Sequence, residues 1–169
     1  MAASAQNIVL IGMAGVGKST VGVLLAKAML RNFVDTDLVV QSAEGKPLQN
    51  IVDEVGKQSF QQIEEQHVLS IQIPGAVIAT GGSVVYSDQA MRHLKENATT
   101  LFLELPVDQL EQRITDPESR GLAIDKDQTF QELYLERLPL YQQYADHTID
   151  CNGLDHEQVV SKILAQLNN

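Results

Sequence analysis

Asn7-Ile-Val-Leu-Ile-Gly-Met-Ala-Gly-Val-Gly-Lys-Ser-Thr20 is the stretch on which the fold turns. Asn7 to Ile11 is a short β-branched run ended by glycine. From Ser19 to Leu30 apolar residues recur at helical spacing through Val21, Val23, Leu24, Leu25 and Met29. Strand, glycine loop and helix therefore follow one another. Between strand and helix, Gly12-Met13-Ala14-Gly15-Val16-Gly17-Lys18-Ser19 fits G-x-x-x-x-G-K-[ST], a match that average residue usage gives a chain of this length with a chance of roughly 0.6%. Gly15 and Gly17 let the loop turn its N–H groups toward phosphates, and the helix N-terminus adds a favourable dipole. Lys18 is placed to reach the β- and γ-phosphates of ATP and Ser19 to ligate Mg²⁺, so Gly12 to Thr20 is the expected nucleotide site.

Working outward, apolar runs recur at Ala76 to Ala79, Thr99 to Leu105 and Thr148 to Asp150, each followed by a helical pattern. Helix starts are expected at Ser87, at Pro106 and near Gly153 to Asp155, with further helices over 128–144 and 156–167. Alternating β and α elements predict an α/β fold with a mostly parallel sheet covered on both faces, its ligands at the carboxyl ends of the strands. Length, 169 residues, is that of a single domain. Residues 115–128, acidic and without apolar periodicity, read as a long loop, and such loops are often lids.

The net charge of −10 disfavours a nucleic-acid partner. No run is long and apolar enough for a membrane span, and Met1 to Gln6 lacks a basic signal-peptide start, so a cytoplasmic protein with no membrane partner is expected. The lone Cys151 reads as a small apolar residue in a reducing compartment. His67, His93, His147 and His156 have no ligand spacing, and surface or structural roles are expected for them.

Phe33-Val-Asp35-Thr-Asp37 falls where a second strand would end, close to the phosphate loop if the two strands are neighbours. On an extended segment Asp35 and Asp37 face the same side. Capping of a helix from Asp37 to Glu44, closed by Gly45, explains the same residues. Beside the phosphate loop the chemical reading is the better one: one carboxylate for a magnesium-bound water, the other for a hydroxyl proton. Three of the five arginines, Arg113, Arg120 and Arg137, fall in or beside the lid region and suggest a clamp on a transferring phosphoryl group.

These motifs, with Phe60-x-x-x-Glu64, Thr80-Gly81-Gly82-Ser83 and Arg137-Leu-Pro-Leu-Tyr141, resemble the shikimate kinase family in order and spacing from about Asn7 to Ile163. The resemblance implies a three-layer P-loop kinase fold with a five-stranded parallel sheet in the order 2-3-1-4-5. It implies ATP·Mg²⁺-dependent phosphorylation of a small-molecule hydroxyl, that of shikimate, in the pathway to aromatic amino acids; separately from the resemblance, a monomer is expected. By the same resemblance Lys18, Asp37 and Arg120 are catalytic, Ser19 and Asp35 serve the metal, and Arg113 lies against the adenine. Arg120 closes with the lid, while Asp37, Gln61, Gly81, Gly82 and Arg137 meet the substrate, Arg137 at its carboxylate.

Two departures bear on the acceptor. Gln61 stands where the family has an arginine, and the third glycine of the turn is absent. Loss of a charge-assisted bond predicts carboxylate binding weaker by roughly 10- to 100-fold, with Glu64 left without its arginine partner. Another polyol or hydroxy acid as acceptor, and a non-catalytic ATP-binding regulatory module, are the alternatives.

Overall fold

The computed structural model describes residues 6–114, 122, 124, 125 and 127–168. Arg120 and most of the expected lid lie outside the described residues. The alternation read from the sequence is realised as β1 (Asn7–Ile11), α1 (Lys18–Met29), β2 (Asn32–Asp35), α2 (Thr36–Glu44), α3 (Leu48–Leu69), β3 (Ala76–Ala79), α4 (Asp88–Lys95), β4 (Ala98–Glu104), α5 (Val107–Arg113), α6 (Phe130–Tyr144), β5 (His147–Asp150) and α7 (His156–Leu167). A 3₁₀ turn, Val84–Tyr86, precedes α4.

All pairings are parallel and the strand order is β2-β3-β1-β4-β5. With β1 central, Val9, Leu10 and Ile11 are fully buried, each contributing about 1.5–3 kcal/mol relative to exposure. On the layers flanking the sheet, α1 packs against β3 and α7, while α4 and α6 pack against β4. A second, smaller apolar cluster of Val40, Leu48, Ile51 and Phe60 joins α2 to α3. Gly56, at φ 79°, interrupts α3 between the part carrying Leu48 and Ile51 and the part carrying Phe60 and Glu64.

This is the strand order that the resemblance implies, and it leaves unmet the condition under which Asp35 was expected near the phosphate loop. β2 does not neighbour β1, because β3 lies between them. Asp35 is nevertheless brought to the phosphate loop, since Ser19 in the first turn of α1 donates to its Oδ2 at 2.6 Å. Nor do Asp35 and Asp37 share an extended face: β2 ends at Asp35, whose Oδ1 caps α2 by accepting from the Asp37 N–H at 3.0 Å. The capping reading and the proximity to Ser19 both hold, and both belong to Asp35.

Candidate active site

Every strand of the sheet delivers a chemically useful segment to its carboxyl end. After β1 the chain enters the phosphate loop, where Gly15 and Gly17 have φ of 87° and 105°, values a side chain would strain. Gly17 then hands the chain to α1, leaving the first-turn N–H groups of α1 open toward a ligand. Met13 and Val16 turn their side chains into the core, so these two positions offer only backbone to the loop. Lys18 Nζ folds back on the loop, donating to the Gly12 and Met13 carbonyls at 2.6 and 2.9 Å.

A cleft of about 720 Å³ opens beside this loop. Ala14, Gly15, Gly17, Lys18, Ser19 and Thr20 form one wall. Asp37 from α2, Phe60 and Glu64 from α3, the Thr80–Ser83 turn after β3, and Arg137 from α6 line the cleft as well. Arg113 also lines it, donating from Nη1 to the Val16 carbonyl at 3.3 Å. The cleft thus unites the expected phosphate-loop residues, Asp37, Gly81, Gly82, Arg113 and Arg137. Gln61 is half-buried on α3 and is not among the lining residues. Arg92 lies outside the cleft, exposed and paired with Asp88.

The turn after β3 is fastened from three sides. Thr80 donates through its Oγ1 to the Leu10 carbonyl at 2.9 Å, the Gly81 N–H donates to Thr36 Oγ1 at 2.9 Å, and Tyr141 donates to the Gly82 carbonyl at 2.6 Å. Tyr141 is itself buried and stacked on Phe102, 5.2 Å between ring centres. At Gly81 the reason for glycine is space. A Cβ there would stand 2.6 Å from Asp37 Oδ1 and closer still to Glu64 Oε1. Gly81→Ala is therefore expected to push both carboxylates aside, costing about 1–3 kcal/mol of stability and raising the acceptor KM. Thermal unfolding and acceptor kinetics test this, and an unchanged KM would place the acceptor elsewhere.

Since the same point lies so near both oxygens, Asp37 and Glu64 are no more than about 5 Å apart and each disfavours the other's charge. Burial, and then the charge of Asp35, push the Asp37 carboxyl up to about 6, with Lys18 opposing. Burial pushes Glu64 up to about 7; Asp37 adds to the rise, while Ser83, Arg137 and Lys18 oppose it. Glu64 is also not partnerless, contrary to the sequence expectation. Ser83, at the place of the missing third glycine, donates to its Oε2 at 2.6 Å. The folded protein holds the Glu64 proton more tightly than an unfolded chain with its ordinary value of 4.5. Glu64 should therefore make stability fall as pH rises from about 4.5 to about 7, with the penalty constant above that. Denaturant midpoints across this window should show the fall, and Glu64→Gln should flatten it. An unchanged slope in the variant would assign the effect to other groups.

Among the cleft residues, Arg137 is the largest fully buried side chain, and its Nη2 has no hydrogen-bond partner among the described residues. A buried cationic nitrogen left open is suited to receive an anion. Sequence reasoning missed Tyr86 and the place of His156, and quoted Ser83 and Tyr141 in motifs without assigning them these contacts. His156, expected to be structural or superficial, lines the cleft, its Nε2 2.9 Å from where a Gly17 Cβ would stand. Its approach depends on β5 ending beside β4, which no local pattern signals.

The "Shikimate kinase" family model matches residues 14–168. The chain belongs to the shikimate kinase family. Shikimate kinase of Thermodesulfovibrio yellowstonii is 37% identical over 95% of this chain and 94% of its own. Among solved structures, shikimate kinase from Acinetobacter baumannii in complex with shikimate superimposes with a TM-score of 0.88 at 29% identity, covering 97% of this chain and 93% of that one. Shikimate kinase from Aquifex aeolicus gives 0.81 at 32% identity, covering 96% of each. This family member therefore has the P-loop kinase sheet order that its sequence predicted.

Proposed function

We propose that the chain is an enzyme that transfers the γ-phosphoryl group of ATP to a hydroxyl of shikimate. The observation that carries this reading is the pairing of two anion sites in one cleft: the phosphate loop and Arg137, whose buried Nη2 has no partner among the described residues. A triphosphate suits the first and an acceptor bearing a carboxylate the second.

In this reading Arg137 holds the acceptor's carboxylate and Asp37 its reacting hydroxyl. As the hydroxyl oxygen bonds to the γ-phosphorus, Asp37 takes the proton and the bond from phosphorus to the β-phosphate oxygen breaks, releasing ADP. Lys18, leaving its loop carbonyls, offsets charge on the phosphate oxygens. The Ser19 hydroxyl and Asp35 carboxylate, 2.6 Å apart, are an all-oxygen donor pair that suits Mg²⁺. When bound, Mg²⁺ supplies neutralisation of phosphate charge. Arg113 meets the adenine, Arg120 closes with a lid over about 115–128, and Gly82 completes the acceptor side. Residues 1–169 act as one domain and as a monomer, in the cytoplasm, without a nucleic-acid or membrane partner.

An ATP-consumption screen over shikimate, quinate, gluconate, homoserine and nucleoside monophosphates tests the proposal. Shikimate is the expected hit. Turnover of another acceptor with none of shikimate would overturn the assignment.

A further inference from the structure

Arg137 is unusual as a charge. It is buried, and it makes no ion pair with a carboxylate of the described residues. A cation so placed needs other partners to keep it in one orientation. Two tyrosines supply them: Tyr141 lies against the guanidinium, and Tyr86 grips it at two points. Arg137 Nε donates to Tyr86 Oη at 3.3 Å, and its Cζ lies 5.3 Å from the centre of the Tyr86 ring. The tyrosine thus fixes the guanidinium at its edge and on its face, leaving Nη2 as the nitrogen without a partner.

Tyr86 is in turn held where it can do this. It ends the 3₁₀ turn Val84–Tyr86, directly after the Gly81–Ser83 segment that lines the cleft, and its N–H donates to the Ser83 carbonyl at 3.0 Å. Its hydroxyl donates to Glu136 Oε1, and Glu136 Oε2 accepts from Gln128 Nε2 at 2.8 Å. With its own proton committed to a carboxylate, the phenol oxygen presents only lone pairs to Arg137. The orientation of one guanidinium is therefore set by a residue 51 positions away that is not itself among the cleft-lining residues.

We propose that Tyr86 is a positioning residue for the acceptor site: by gripping Nε and one face of Arg137 it turns Nη2 toward the carboxylate of the acceptor, and so sets the preference for a carboxylate-bearing acceptor. This rests on the reading of shikimate as acceptor and of Arg137 as the group that meets its carboxylate. Tyr86 touches neither substrate, so its removal should act on acceptor affinity alone.

The test compares wild type, Tyr86→Phe, Arg137→Lys and the double variant, by calorimetric binding of shikimate and of MgATP and by steady-state kinetics. Tyr86→Phe keeps the ring and removes the oxygen. It should raise the shikimate Kd and KM about tenfold, the worth of one hydrogen bond to a charged group, with kcat and MgATP binding within about twofold of wild type. In the Arg137→Lys background, where there is no Nε fork to grip, the same change should have little further effect. Glu136→Gln, which leaves Tyr86 in place but weakens its anchor, should raise the shikimate KM by a smaller factor and serves if Tyr86→Phe folds poorly. Unchanged shikimate affinity in Tyr86→Phe, an equal loss in both backgrounds, or a parallel fall in kcat and MgATP binding would each overturn the proposal. If wild type neither binds nor phosphorylates shikimate, the acceptor reading falls and takes this role with it. If wild type uses shikimate and Tyr86→Phe matches it, only the role of Tyr86 falls.

Discussion

Lys18→Ala is expected to remove phosphoryl transfer, lowering kcat/KM by about 10³-fold or more, the scale on which preorganised charge acts on a transferring phosphoryl group. Lys18 opens α1, lines the cleft and donates to the loop carbonyls of Gly12 and Met13, which places its ammonium at the loop where a triphosphate would bind. Lys18 is buried but belongs to neither apolar cluster, and the fold should survive the truncation. An ADP-release assay with shikimate and a thermal melt measure the two halves of the expectation. Turnover at the wild-type rate would mean that the loop binds something other than the transferred phosphate.

Asp37→Asn is expected to lower turnover by about 10² to 10⁴, the usual worth of a positioned base, with MgATP binding near normal. What makes this test sharp is that the two aspartates have separate duties. Asp35 caps α2 and accepts from Ser19, whereas Asp37 lines the cleft beside Glu64 and caps nothing. Asn at position 37 therefore leaves the cap intact and relieves the cost of a charge that burial and Asp35 disfavour, so stability should hold or rise. A variant that loses stability and keeps its rate would return Asp37 to a structural role.

The sequence was most informative where chemistry and local conformation demand the same residues in a row. The loop from Gly12 to Ser19 had to be read together with a strand before it and a helix after it. Steric limits on positive φ and the need for N–H groups at a helix start leave few other sequences for that job. Helix starts were legible for the same reason: Ser87 and Asp155 cap α4 and α7 through their own side chains. The apolar runs 76–79 and 99–105 declared a parallel sheet because strands covered on both faces have no polar side to show.

Pairwise meetings between distant segments were beyond it. That Asp35 and Asp37 part at the end of β2 depends on one carboxylate accepting from the next turn's N–H, an outcome the dipeptide spacing does not distinguish from an extended pair. Ser83 reaching Glu64 compensates for a missing arginine through a contact spanning 19 residues. Gln61, singled out for its identity, stands on a helix face that does not line the cleft. Arg137 was named for its charge, yet its burial and its grip by Tyr86 follow from α6 lying against the turn after β3. By itself, then, the sequence determined the phosphate loop, the order of elements and the identity of the charged groups, because these rest on local sterics and periodicity. Tertiary structure alone decided which carboxylate caps and which lines the cleft, who partners Glu64, and where Arg137 keeps an open nitrogen. Those depend on long-range packing that no local pattern encodes.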